Sequence, residues 1–234
     1  YLVIGARDGY RMGDFKIYDS LTYDALNCAM CGYHMGVTAE NLAEKYNISR
    51  QEQDELAVLS HLRAAEAQKT GKFEHEIVPV EITQKNGSKV VSVDEHVKED
   101  VSLEKLSKLK PAFKPDGTVT AGNASGINDG ASALLMMSRR KADELGIKPV
   151  AKLLATAAHG VEPKYMGIGP VFAIPKVLRY AGLDMKQIEY FEINEAFAAQ
   201  FLACNRELNI PMDKVNANGS GIALGHPVGS TGIK

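Results

Sequence analysis

Between Thr118 and Gly219 short apolar runs alternate with segments of helical period, and this alternation narrows the possible folds more than any other feature of the chain. "TVTAGNASGINDGASALLMMS" is small and Gly-rich, then becomes an apolar run suited to a buried strand. "RRKADELG" predicts a short helix ending at Gly146, "VAKLLATAA" a strand, and "VFAIPKVLRYAG" a helix stopped by Gly182. "EYFEI" predicts another strand, "NEAFAAQFLACNREL" a helix, and "KVNANG" the approach to a last strand or turn. Each strand and each helix has one apolar side to bury, so strict alternation predicts an α/β layer structure.

The first half has a different texture. "YLVIGA" and "FKIYDS" predict two short strands around a turn-rich tip, "RDGYRMGD", a hairpin that needs something to pack on. A helical pattern opens at Thr38, and Ser49-x-x-Glu52 is a capping box for a second helix reaching about Thr70, with Leu56, Leu59, Leu62 and Ala67 as its buried side and Gly71 as its stop. "EIVPVEI" and "KVVSVD" alternate around Asn86-Gly87, a strong hairpin signal. Residues 94–117 are polar and Lys-rich, punctuated by Pro111 and Pro115. A boundary is placed near residue 127, between a mixed, insertion-like segment and an α/β unit.

Bulk properties exclude several classes. A formal charge of −2 gives no reason to expect nucleic acid or an anionic membrane surface as partner. No run approaches the roughly 18–20 apolar residues of a membrane span, and no signal peptide is visible. Three cysteines, Cys28, Cys31 and Cys204, do not make a secreted disulfide framework, so a reducing, cytoplasmic setting is expected. Cys28-x-x-Cys31 has no second ligand pair to complete a zinc site, and two thiols in a packed loop is the preferred reading; no metal is expected.

Four loops could carry chemistry. "NGSGIALGHPVGSTG", Asn218 to Gly232, is the richest in glycine. Its spacing fails both the dinucleotide fingerprint and the phosphate-binding loop. His226 stands between Gly225 and Pro227, where a fixed and uncrowded backbone lets an acyl group or thioester approach. An imidazole there could accept a thiol proton and stabilise an oxyanion, or merely fill a turn. Asn194 in "NEAFA" lies at the carboxyl edge of a predicted strand, the side on which α/β sheets bind ligands, or else caps the following helix. "GNASGINDG" surrounds Ser125 with small residues, against which a flat ligand or a tight turn could lie. His34 in "GYHMG" precedes a helix, and a lone histidine there is more often structural than catalytic.

Taken together and in this order, "GNASGINDGAS", "NEAFA" and "GSGIALGHPVGSTG" resemble the thiolases, enzymes that condense or cleave acyl-CoA thioesters. "CGYHMGVTAEN" further resembles their biosynthetic, acetoacetyl-CoA branch. The resemblance implies a layered αβαβα fold with an inserted loop domain. Residues 1–127 would be that loop domain with its tetramerisation hairpin, and residues 128–234 the end of the N-terminal half with the first part of the C-terminal half. It implies that His226 activates a nucleophilic cysteine and joins an oxyanion hole, in which Asn194 holds a water. Ser125 and His34 would lie near the pantetheine amide, and Leu26, Phe113, Ala121, Gly122, Met166, Ala196 and Phe197 along the CoA channel. Lys98 would meet the CoA phosphates.

The implied partners are acetyl-CoA and acetoacetyl-CoA, as substrates rather than cofactors, in a homotetramer. One pattern departs from the family: thiolases use two cysteines in motifs of their own, and neither motif is in this sequence. The chain is therefore expected to resemble the middle of a thiolase and to be inactive by itself. A degradative 3-ketoacyl-CoA thiolase, or a non-catalytic CoA-binding or assembly module, are the alternatives.

Overall fold

The computed structural model of the chain describes residues 1–233. Its elements follow in order β1 (Leu2–Val3), β2 (Ile17–Tyr18), α1 (Met35–Lys45), α2 (Arg50–Lys69), β3 (Val80–Gln84), β4 (Gly87–Val91), α3 (Leu103–Ser107), α4 (Arg139–Glu144), α5 (Gly169–Ala181), α6 (Ala198–Leu208) and α7 (Gly221–Leu224). A π-turn covers Leu21–Leu26, and 3-10 turns cover Pro163–Ile168 and Met185–Gln187. No helix is long and apolar enough to cross a membrane among the described residues.

Helix α6 is the axis of the core. Its sequence is small and apolar on several sides, and Ala198, Ala199, Phe201, Ala203 and Cys204 are fully enclosed. One flank packs with Ala39, Leu42 and Ala43 of α1 and with Ile168. The other packs with Leu56 and Ala57 of α2, Ile193, Val215 and Ile222. Alanines let the three helices approach closely, and the one large residue, Phe201, fills the space between them.

Local signals set the helix ends. Ser49 Oγ accepts from the Glu52 amide at 3.2 Å and Glu52 Oε2 accepts from the Ser49 amide at 2.8 Å, completing the capping box of α2. Gly71, Gly146 and Gly182 all have left-handed backbones at φ of +71°, +66° and +68°, where a helix must turn off. The expected buried side of α2 is corrected in part. Leu56 and Ala67 are buried, but Leu62 is 51% exposed, and Gln53, Asp54, Ser60 and His61 take the interior. Polar residues sit there because that face of α2 meets hydrogen-bonding loops rather than a sheet.

Both predicted hairpins form. Leu2 pairs with Tyr18 and Val3 with Ile17, and Val80–Gln84 pairs antiparallel with Gly87–Val91 across Asn86-Gly87. The predicted strands in "SALLMMS", "VAKLLATAA" and "EYFEI" do not form. These segments contain no regular strand, and Phe191 makes only an isolated parallel bridge to Val215. A strand exists by hydrogen-bonding a neighbour, and none of the described residues lies alongside as a paired strand. Leu134, Leu135, Leu153 and Leu154 are consequently 59–81% exposed. Helix α1 also begins three residues before Thr38, because His34 caps it: His34 Nδ1 accepts from the Gly36 amide at 3.0 Å.

Two buried carboxylates bind the segment that leads into the Ser125 loop. Glu40 of α1 accepts from the amides of Thr118 and Val119 at 2.9 and 2.8 Å. Asp54 of α2 accepts from Asn123 Nδ2 at 2.9 Å and pairs with Arg50 at 2.8 Å. Carboxyl groups are accommodated at these depths because each oxygen has a donor. Their effect is to hold residues 118–123 rigidly on the helices.

Candidate active site

Three loops that are distant in sequence are stitched together. Residues 123–128 lie in the middle. On one side the Ser125 amide donates to Ala196 O at 2.9 Å, the Ala198 amide donates to Asn123 O at 2.9 Å, and Ala124 bridges Phe197. On the other side the His226 amide donates to Gly126 O and to Asn128 Oδ1, both at 3.2 Å, and Ile127 bridges His226. The Ser125, Asn194 and His226 loops therefore form one unit.

Glycine is required at the crossings. Gly225 has φ of +86°, and a Cβ there would collide with Asn128 Oδ1. A Cβ on Gly221 would stand 2.5 Å from Asn194 Oδ1, so the Asn194 amide lies against the bare backbone at the start of α7. Asn194 does not cap α6, because that helix starts at Ala198 with Phe197 in the cap position. The capping alternative is thereby set aside. Gly221→Ala in the full-length protein is expected to displace Asn194 and lower turnover by about 10-fold or more, while Gly229→Ala, which meets nothing, is expected to be neutral. Steady-state kinetics of both variants checks this, and equal turnover would refute it.

His226 is half-buried, and burial holds its pKa below the ordinary histidine value, so the ring is neutral near pH 7. Its Nδ1 lies 2.8 Å from Thr231 Oγ1, whose own proton goes to Pro227 O at 3.0 Å. The threonine hydroxyl has one proton, so Nδ1–H is the donor in the first contact and Nε2 carries the lone pair. A neutral imidazole oriented in this way can accept a proton at Nε2 and then donate it.

Other predicted residues are distributed around this unit. His34 stacks on Phe113 at 4.7 Å between centroids, and Phe113 meets Phe197 edge-on at 5.9 Å, so an aromatic row runs from α1 to the Asn194 loop. Burial lowers the His34 pKa as well. Ala196 is half-buried beside Ser125, Gly122 lies against Leu106 and Leu109, and Ala121 is exposed next to it. Lys98 is exposed, with its amide donating to His61 Nδ1 at 3.2 Å. Leu26 lies half-buried in the π-turn and Met166, 48% exposed, in the 3-10 turn beside α1; no hydrogen bond or ring contact ties either to the three loops among the described residues.

None of the three thiols stands in this unit. Cys204 is fully enclosed in α6, donates to Gly167 O at 3.1 Å, and burial pushes its pKa up to about 11. Cys28 is buried in a tight turn, its Sγ accepting from the Cys31 amide at 3.2 Å.

Sequence reasoning missed Glu195 and Asn216. Glu195 is 2% exposed and accepts from Ser60 Oγ at 2.5 Å and Asn216 Nδ2 at 2.9 Å. Asn216, at φ of +49°, also accepts from the Ile193 amide at 2.9 Å and donates to its carbonyl at 2.8 Å. Burial raises the Glu195 pKa while these donors oppose the rise. Neither residue carries a local signal in the sequence, because their partners lie 21 to 135 residues away.

His61 gives the assembly a pH dependence. It is 3% exposed, and burial, with help from His96 and Lys98, lowers its pKa to about 4. The unfolded chain binds a proton near pH 6.5 and the folded one does not until about pH 4. Stability is therefore full above pH 6.5 and falls as pH drops toward 4, by about 3 kcal/mol from this residue. Urea titrations at several pH values should show that loss, and His61→Gln should flatten it; identical slopes would refute the assignment.

An α/β chain whose glycine-rich loops are hydrogen-bonded into one unit, with a neutral imidazole on one of them, has a site open to close approach at its backbone. The family description "Thiolase, N-terminal domain" matches residues 2–140, and "Thiolase, C-terminal domain" matches residues 147–234. The chain belongs to the thiolase family. It is 55% identical over all 234 residues to a "Probable acetyl-CoA acyltransferase" of Staphylococcus aureus (strain COL), of which it covers 60%. Among solved structures, acetyl-CoA acetyltransferase from Syntrophomonas wolfei superposes with a TM-score of 0.90 at 50% identity, over the whole chain and 60% of that protein. Human mitochondrial 3-ketoacyl-CoA thiolase superposes with a TM-score of 0.88 at 41% identity, over 99% of the chain and 59% of that protein. The chain thus has the thiolase fold and spans about 60% of the length of these relatives.

Proposed function

We propose that the protein carrying this chain is an acetyl-CoA acetyltransferase, joining two acetyl-CoA into acetoacetyl-CoA and free CoA, and running the reverse thiolysis. The observation that carries the reading is the single unit made by the Ser125, Asn194 and His226 loops, which bears a neutral imidazole at His226. In this reading His226 Nε2 takes the proton of a nucleophilic thiol that this chain does not supply, and the resulting thiolate attacks the carbonyl of the first acetyl-CoA, whose bond to the CoA sulfur breaks and releases CoA as its thiolate. A second acetyl-CoA then loses an α-proton to a second group outside the chain. His226, with a water on the Asn194 amide, donates to the enolate oxygen while the new carbon–carbon bond forms. Fixed donors aimed at a developing negative charge act there without reorganisation.

The row His34–Phe113–Phe197 and the small residues Ala121, Gly122, Ser125 and Ala196 would bound the CoA arm, with Lys98 toward its phosphates. The β1–β2 hairpin, where Met12 is 99% and Ile17 62% exposed, is the surface we assign to tetramer contacts. Three free cysteines fit a reducing, cytoplasmic compartment.

A degradative 3-ketoacyl-CoA thiolase is the second reading, favoured by the likeness to the human mitochondrial enzyme. Cleavage of acetoacetyl-CoA and of a longer 3-ketoacyl-CoA by the full-length protein separates the two. The first reading expects kcat/KM to favour the four-carbon substrate, and a preference for the longer one would replace it. The 234-residue chain alone is expected to turn over neither; turnover by a preparation verified by intact mass would show that a thiol of this chain serves after all.

A further inference from the structure

His96 lies between the His226 and Ser125 loops, although it belongs to neither. Its Nδ1 is 3.0 Å from Ala223 O. A carbonyl only accepts, so Nδ1 carries the proton and donates. Ala223 belongs to α7, four residues long, whose carbonyls have few partners within the helix and which leads through Gly225 directly to His226. The other edge of the same ring occupies the space beside Gly126, where an added Cβ would collide with Nε2. Gly126 O is in turn the acceptor for the His226 amide. One imidazole therefore holds the turn before His226 and the loop on which His226 leans. Behind it His61 of α2 stacks nearly parallel, at 6.4 Å and 14°, connecting the pair to the helical core.

We propose that His96 is a positioning residue for His226. Resting on the acyltransferase reading above, it fixes the separation of α7 from residues 123–128 and so the place of the His226 ring. The requirement is a donor at the Nδ1 position, together with a flat group against Gly126. Asparagine supplies a donor at nearly the same place, and leucine fills the volume without one.

The test uses the full-length protein with His96→Leu, His96→Asn and Gly126→Ala, the last pushing the ring away from its opposite edge. His96→Leu and Gly126→Ala are expected to lower kcat by about 10–100-fold while KM for the acyl-CoA stays within about 3-fold, since an ångström of displacement at a reacting group has effects of this size. His96→Asn is expected to recover most of that loss. Hydrogen exchange, which needs no turnover, is expected to speed up in peptides spanning residues 122–130 and 219–230 of the Leu variant and to stay unchanged in α1 and α6. Wild-type kcat with unchanged loop exchange in His96→Leu would overturn the proposal. So would equal losses in the Leu and Asn variants with faster exchange throughout, which marks a merely structural role. A wild-type protein without thioester turnover sinks the acyltransferase reading instead, and the exchange comparison still decides whether His96 holds the loops.

Discussion

Replacing His226 with alanine in the full-length protein is expected to reduce thioester turnover by about 10²–10⁴ while leaving the fold in place. The size follows from the two jobs that the proposed function gives one ring. As a base it would take the thiol proton, and as a donor it would face the enolate oxygen; losing one oxyanion donor alone is worth about 10²–10³ in rate. The fold should survive because the contacts that place residue 226 are made by its amide, to Gly126 O and Asn128 Oδ1, and alanine retains both. The ring's low pKa adds a pH signature. The imidazole must be neutral to accept the proton, so activity in the wild type should hold to pH values below 6.5 before its acidic limb appears. Stopped-time assays of thiol release across pH, with circular dichroism of the variant, measure both. Turnover near the wild-type rate would remove His226 from the chemistry.

The largest effect on stability is expected at Glu195. Glu195→Ala should cost on the order of 4 kcal/mol, the sum of a cavity and of buried donors left without an acceptor. Its carboxyl group accepts from Ser60 Oγ and Asn216 Nδ2. Ser60 Oγ also accepts from the Ser220 amide at 3.2 Å, so α2, the Asn194 loop, Asn216 and the start of α7 all meet at this one group. Alanine would leave two donors in a space that water does not freely reach. Denaturant titration of the full-length protein gives the number directly. A loss under about 1 kcal/mol would mean that packing around Phe201, and not this carboxylate, holds the loops to the helices.

What could be read from the sequence was whatever is settled within a few residues. The capping box at Ser49–Glu52, the hairpin at Asn86-Gly87 and the stops at Gly71, Gly146 and Gly182 formed as expected, because each depends on backbone geometry within one turn. Asn194, Ser125 and His226 could be picked out by residue type, since glycine and other small residues around a polar side chain mark a close approach. His96, Glu195 and Asn128 could not. Their partners lie 127, 135 and 98 residues away, and nothing in "DEHVK" or "INEAF" announces them. The predicted strands failed for a related reason: apolar runs such as "ALLMM" have the composition of strands, but pairing is a property of two segments.

The sequence by itself therefore determined the α/β class, the helix ends, the hairpins and the three loops of small and polar residues. The tertiary structure decided that those loops join into one unit and that His226 is neutral with Nε2 carrying its lone pair. It also decided that His96 stands between the turn before His226 and the loop at Gly126. The division is physical. Propensities and caps are local free energies that a short stretch carries with it, whereas burial, tautomer and partnership arise only when distant parts of the chain exclude water from one another.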